Sequence, residues 1–443
     1  MDLYELGAAA AANAIAEGRI SSEELVASCL ARIRIEEPRV QAWTFLDPDY
    51  ALQQARAADE WKREGKTLGA LHGVPVGIKD IIDTQDMPTE NGTVLHAGRT
   101  PSEDASVVRM LRAAGAVIMG KTVTTELATY APGKTRNPHN AEHTPGGSSS
   151  GSAAAVAAHM VPLALGTQTN GSIIRPAAYC GVIGFKPSFG LIPRHGVLKQ
   201  SRSLDQLGVF ARSVEDAALL AAQIIGYDER DPDTRPRAKP PLRDIAAQEP
   251  PVAPHFAFVK TPLWNKADPE SHEAFAELVA HLGEQVEEFR FPPAFKEAWK
   301  WHQTIMEADI ALNYEQEYAQ GKDKLSESLR GQIERGRKLR AVDYNKALDE
   351  IPALNAVLQE LFEQRFEAFL TPATTGTAPR GLESTGSPVF CTFWTLCGMP
   401  AITLPLMRGA NGLPLGVQLV GPRGGDARLL RTARWLIEQV QAG

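Results

Sequence analysis

Residues 144–181 read TPGGSSSGSAAAVAAHMVPLALGTQTNGSIIRPAAYCG. This passage sets a Gly/Ser-rich loop (Thr144 to Ser152) against an alanine-rich run, Ala153 to His159, that predicts a helix. Val161 to Leu165 predicts a strand, and Gly166 to Ser172 a tight turn. The alternation continues outward. On the N-terminal side, Val74 to Ile78 and Ala116 to Met119 read as strands around a helical pattern, Asp104 to Ala114. Further back, Ser21-Ser22-Glu23-Glu24 forms a capping box, and Val26, Cys29, Leu30 and Ile33 recur at helical spacing. On the C-terminal side, the proline-dense stretch 230–254 predicts a surface connection without regular structure. Helical patterning holds from about 271 to 367. Strands return at Ala401 to Leu404 and Leu415 to Val420, and a helix from Ala427 to Val440 closes the chain. Strands alternating with helices predict an α/β fold, a largely parallel or mixed sheet covered on both faces.

Composition narrows the function classes. The 443 residues are 43% hydrophobic and 22% charged, an ordinary balance for one large domain. The net charge is −7 and the basic residues are scattered, so no nucleic-acid footprint is expected. Cys29, Cys180, Cys391 and Cys397 form no CxxC pair, which argues against a zinc site or disulfide framework and fits a reducing cytoplasm. The N-terminus lacks the basic and apolar regions of a secretory signal. The longest apolar run, Ala153 to Leu165, is broken by His159 and Pro162 and falls short of the roughly 20 residues that span a bilayer. No membrane partner, metal or cofactor is expected.

Three segments carry candidate chemistry. The Gly146–Ser152 run places small hydroxyls and backbone N–H groups at a helix start, a good place for negative charge. A plain helix cap is the simpler alternative. The phosphate-loop pattern Gly-x-x-x-x-Gly-Lys-Ser/Thr is missing. Gly147 to Gly151 matches Gly-x-Ser-x-Gly with Ser149 central, but a loop precedes it where a nucleophile elbow needs a strand. In the second segment, Gly166 to Gly181, successive N–H groups of Thr169, Asn170, Gly171 and Ser172 could converge on a developing oxyanion. In the third, Gly73 to Asp80, Lys79 ends an apolar strand, where desolvation would lower its pKa and free the amine to accept a proton. Lys121 also sits at a strand end and is a weaker alternative base. The histidines offer no obvious catalytic partner.

Together these segments resemble the amidase-signature family. The resemblance rests on the Gly-Gly-Ser-Ser stretch, Gly171-Ser172-Ile173 before Pro176-Ala177-Ala178-Tyr179-Cys180-Gly181, and Gly77-Ile78-Lys79-Asp80. Gly184 to Gly190, Ser203 to Gly208 and Gly412 to Gln418 extend it over nearly the whole chain. The Thr167-Gln168-Thr169 and Ile174-Arg175-Pro176 elements, with Trp394-Thr395-Leu396, are most similar to the malonamidase-like branch. The resemblance implies one amidase-signature domain over 1–443, a large twisted mixed β-sheet with helices on both faces. Its catalytic core would fall at about 65–225 and a helical substrate-pocket region at about 271–367. It implies Ser172 as nucleophile, Ser148 as a bridging serine on a cis peptide bond, and Lys79 as the ultimate base. Asp80 and Asp83 are then expected to point away from the amine.

The implied activity is hydrolysis of small acyl amides through an acyl-enzyme. The same residues would serve a carbamate or ester hydrolase, or one component of an amidotransferase that works with a partner on aminoacyl-tRNA. A homodimer is compatible with this reading. Arg175, by analogy with the branch, would bind a substrate carboxylate, with bracing of the turn as the alternative. Ser149 and Trp394 join it as substrate-binding candidates, Trp394 lining the entrance with Trp299 and Trp301. The chain departs from the family pattern at Ser150 and Asn170, where Gly is usual, and at Gln168, where Asp is usual.

Overall fold

The computed structural model describes residues 2–442. Eleven strands form one sheet: β1 (Trp43–Leu46), β2 (Pro75–Lys79), β3 (Val117–Thr122), β4 (Leu163–Gln168), β5 (Ile183–Lys186), β6 (Gln206–Ala211), β7 (Phe256–Lys260), β8 (Val286–Arg290), β9 (Ala368–Pro372), β10 (Ala401–Arg408) and β11 (Pro414–Val420). Their order is β1-β3-β2-β4-β6-β5-β10-β11-β9-β7-β8. β3, β2 and β4 run parallel, as do β9, β7 and β8 at the far side, while the strands between them pair antiparallel. The sheet is therefore mixed. Its central strands are buried along their whole length, as expected when both faces are covered.

The capping box forms as read: Ser21 Oγ accepts from Glu24 N at 3.0 Å and Glu24 Oε2 accepts from Ser21 N at 2.8 Å. The helix after the Gly/Ser loop spans Ser150–Ala157, three residues earlier than the alanine run suggests, because small side chains let its first turn pack against buried backbone. A Cβ on Gly151 would lie 2.2 Å from Ala42 O, so only glycine fits.

Two expectations need correction. The 271–367 region is not helical throughout: β8 lies inside it, paired in parallel with β7 at the sheet edge. Its sequence, Val-Glu-Glu-Phe-Arg, is half exposed and charged, as an edge strand tolerates, and so lacks the apolar run that marks the central strands. The proline-dense stretch also contains a short helix, Leu242–Ala246. It forms because Leu242 and Ala246 bury against the C-terminal helix, whose Arg434 Nε donates to Ala246 O. Among the described residues no helix is long and apolar enough to cross a membrane.

Candidate active site

Lys79 ends β2, flanked by parallel neighbours β3 and β4, and its side chain is fully buried. The amine Nζ lies 2.7 Å from Ser148 Oγ and 2.7 Å from Thr167 Oγ1. Burial holds this amine well below the usual lysine range, and the charge of Asp205 only partly opposes it. The nearer carboxylates in sequence are committed elsewhere. Asp80 lies 3.4 Å from Lys121, and Asp83 takes a two-pronged hydrogen bond from Arg99 at 2.7 and 2.9 Å. Lys121 is itself buried and paired: burial lowers it to about 8, against the charge of Asp80, and it donates to Pro88 O. Burial in turn raises Asp80 to about 6, against Lys121. Lys121 thus has a structural partner where Lys79 has two hydroxyls.

Ser148 follows a cis peptide bond, Gly147–Ser148. The loop that presents it is tied by Arg175 to the helix that follows the Ser172 turn. This guanidinium, 1% exposed, donates to Gly147 O at 2.6 Å, Thr385 Oγ1 at 3.2 Å and Gly386 O at 3.1 Å. The buried group spends its bonds on two backbone carbonyls and a threonine hydroxyl, so the carboxylate-clamp expectation is corrected in favour of bracing. Ser149 is also corrected. It is fully buried and clasps β4, donating to Thr167 O at 3.2 Å and accepting from Thr167 N at 3.3 Å. Trp394 is buried among Phe291, Phe369 and Phe393 and lines no entrance. A large indole inside an aromatic cluster fills core volume. Trp299 packs on Phe393 and donates to Val389 O at 2.8 Å.

Ser172 sits on the turn between β4 and the Ile174–Cys180 helix. Its hydroxyl forms no hydrogen bond to Ser148, so Lys79 and Ser148 are joined while the last link is open. Gln168, where the family pattern has Asp, accepts from Ile173 N at 2.9 Å and Ile174 N at 3.0 Å, and donates to Thr395 Oγ1 at 2.9 Å. A neutral carboxamide therefore folds the turn back on its own helix. Asn170 has no positive φ, so its position makes no demand for glycine. Its side chain donates to Tyr130 Oη at 3.0 Å and accepts from Thr392 Oγ1 at 2.7 Å. Among the described residues, the N–H groups of Thr169, Asn170, Gly171 and Ser172 donate to no other backbone group, which leaves them free of main-chain partners.

Three groups at this site were given no role from the sequence: Thr167 and Thr395, quoted only within the resemblance, and His302. Thr167 lies in the stretch read as a tight turn, but the strand runs on to Gln168, and the period-two alternation of β4 would have flagged it. His302 and Thr395 arrive from remote segments, and no local pattern marks them. A 260 Å³ cavity lies on the far side of Thr167, lined also by Thr169 and Asp205 but not by Lys79, Ser148 or Ser172. Burial raises Asp205 to about 6, opposed by hydrogen bonds from Thr169 and the N–H groups of Ser201 and Gln200. Among the described residues no group of three or more His, Cys, Asp or Glu side chains is set to hold a metal ion.

The family model named Amidase matches residues 24–430. The chain belongs to the amidase family. As a family member it is an enzyme of carbon–nitrogen amide bonds, by hydrolysis or amide transfer. Among curated relatives, a subunit of the glutamyl-tRNA(Gln) amidotransferase of Symbiobacterium thermophilum is 36% identical over 465 residues, covering 96% of this amidase and 94% of that protein. Among solved structures, a peptide amidase in complex with the competitive inhibitor chymostatin superimposes with a TM-score of 0.86 at 30% identity, covering 99% and 98% of the two chains. A chain from a vestigial protein complex linked to the origins of an s-triazine catabolic enzyme reaches a TM-score of 0.91 at 26% identity, covering 98% of each.

Proposed function

We propose that this amidase cleaves amides by nucleophilic attack of Ser172, with Ser148 and Lys79 as a proton relay. The observation that carries the reading is the buried Lys79 amine, 2.7 Å from Ser148 Oγ with no carboxylate in contact. An ordinary lysine, with pKa roughly 10.4, is only about one part in a thousand neutral near pH 7.4. Burial changes that, and a neutral amine accepts the Ser148 proton as Ser148 accepts that of Ser172. The Ser172 oxygen bonds to the carbonyl carbon, and the charge on the carbonyl oxygen is met by N–H groups of the Thr169–Ser172 turn. The relay then returns the proton to the leaving nitrogen, the carbon–nitrogen bond breaks, and water releases the acyl group from Ser172.

Small acyl amides are the substrates we favour for the isolated chain, and the likeness to a peptide amidase supports this. Carbamates or esters would react by the same steps. A second reading, an amide-cleaving component that passes ammonia to a partner, is favoured by the extended similarity to a glutamyl-tRNA(Gln) amidotransferase component. The two share the reaction and differ in the company the chain keeps. The test is a screen of acyl amides, anilides, carbamates, esters and glutamine with the purified chain, using Ser172→Ala as control. Turnover by the chain alone supports the first reading. Glutamine cleavage that appears only with a second protein co-purifying in fixed stoichiometry supports the second. Turnover that survives Ser172→Ala defeats both.

A further inference from the structure

The turn that carries the four free N–H groups is held from behind at three successive carbonyls. Thr169 O accepts from His302 Nε2 at 2.9 Å, Asn170 O from Thr395 Oγ1 at 2.5 Å, and Gly171 O from the backbone N of Arg175 at 2.9 Å. A peptide unit is planar, so fixing the direction of its C=O fixes the N–H of the following residue. Thr169 O therefore sets the Asn170 N–H, Asn170 O the Gly171 N–H, and Gly171 O the Ser172 N–H. A donor on the carbonyl also polarises the amide and strengthens that N–H as a donor.

Of the three tethers, the one to Gly171 O is the ordinary first bond of the Ile174–Cys180 helix and needs no particular side chain. Thr395 shares its hydroxyl with Cys391 O at 3.1 Å. His302 is different. It reaches the turn from the Glu297–Asn313 helix, 133 residues away in sequence, is 1% exposed, and has Thr169 O as its hydrogen-bond partner. Burial lowers the imidazole to about 4, so at neutral pH it is uncharged, with its proton on Nε2 as the carbonyl requires. An uncharged donor orients the peptide without placing a cation beside Lys79.

We infer that His302 is a positioning residue for the reaction, aligning the Asn170 N–H through the carbonyl of Thr169. The inference rests on the reading of Ser172 as nucleophile. It gives the helical region a mechanical part: the Glu297–Asn313 helix steadies the turn that receives the negative charge. An aligned N–H matters most when that charge develops, so loss of alignment lowers kcat more than it raises KM.

The test compares His302→Leu, which removes the donor, with His302→Gln, which keeps an N–H at similar reach. The readouts are kcat, KM and the affinity of a trifluoromethyl ketone built on the best substrate, a probe that forms a tetrahedral oxyanion on Ser172. Complete loss of an oxyanion donor costs about 100- to 1,000-fold in kcat, so misalignment is expected to cost about tenfold. His302→Leu should lower kcat by that factor with KM within about twofold, weaken the ketone in parallel, and be largely rescued by His302→Gln. Wild-type kcat in His302→Leu overturns the inference, as does a loss confined to KM or a Gln variant as slow as the Leu variant. Should His302→Leu not fold, Thr395→Val, which strips the neighbouring tether while keeping shape, must show the same drop in kcat and ketone affinity. Its absence there is equally fatal. A wild-type chain that neither turns over an amide nor labels at Ser172 with a fluorophosphonate removes the proposed reaction itself; a fully active chain indifferent to His302 removes only this inference.

Discussion

Replacing Arg175 by Met separates a brace from a carboxylate clamp. The substitution keeps most of the stem but deletes the guanidinium that holds Gly147 O, Gly386 O and Thr385 Oγ1. The buried Gly147 carbonyl left unpaired costs about 1–3 kcal/mol, and the part-buried Gly386 carbonyl, which water can reach, costs less. Part of this is offset, because the wild-type chain buries a cation without a carboxylate partner, and burial lowers the Arg175 pKa accordingly. A net destabilisation of about 1–2 kcal/mol follows, visible as a lower midpoint in urea. Gly147 O belongs to the peptide unit that carries the Ser148 nitrogen, so a loosened loop displaces the bridging hydroxyl. Misplacement of this kind costs up to about 100-fold in rate, and it should fall equally on an amide bearing a carboxylate and on its neutral analogue. The assay is kcat and KM for that substrate pair alongside the urea titration. Unchanged stability, with a rise in KM confined to the carboxylated amide, would refute the bracing argument.

Other substitutions follow from the same geometry. Lys79→Met should abolish turnover yet raise the urea midpoint at pH 7. The Lys79 pKa is depressed in the fold, so the unfolded chain binds the extra proton and wild-type stability climbs with pH until about 10.4; the gain from Met should therefore shrink between pH 7 and 9.5. Lys121→Met strands the buried Asp80 and should cost about 3 kcal/mol at pH 8. That loss should ease at pH 5, where the carboxyl, already raised to about 6, takes a proton; urea titrations at the two pH values check it. Trp394→Ala opens a hole in the aromatic cluster and should cost about 3–5 kcal/mol with KM unchanged, measured by denaturation and steady-state kinetics.

Local signals carried part of the architecture, and they did so where packing leaves a mark. β2 and β4 are buried on both faces and read as apolar runs, so Lys79 at the end of one stood out against them. Ser148 was conspicuous because so much Gly and Ser is hard to justify from sequence alone, although in the fold the loop is buried and Gly151 is required by packing. β8 stayed hidden because an edge strand can be charged and half exposed, which removes both periodicities. Arg175, Ser149 and Trp394 were visible as residues, but their direction was not. Whether a guanidinium faces a cavity or a carbonyl depends on segments near Gly147 and Gly386 that meet only in three dimensions. His302 escaped for the same reason, since its partner lies 133 residues away.

The parallel pairing of β2 with β4 also has a consequence for how such a site could change over time. Lys79 and Thr167 stand on adjacent strands whose ladder runs from Val76–Leu163 to Ile78–Leu165, so their spacing is dictated by main-chain bonding and not by neighbouring side chains. Swaps of bulk in surrounding side chains leave that ladder untouched, whereas a single insertion in β2 would turn the amine, and one in β4 the Thr167 hydroxyl, toward the opposite face of the sheet. The surroundings are thus free to drift by point substitution while the hydrogen-bonded Lys79–Thr167 pair tolerates almost no change in chain length.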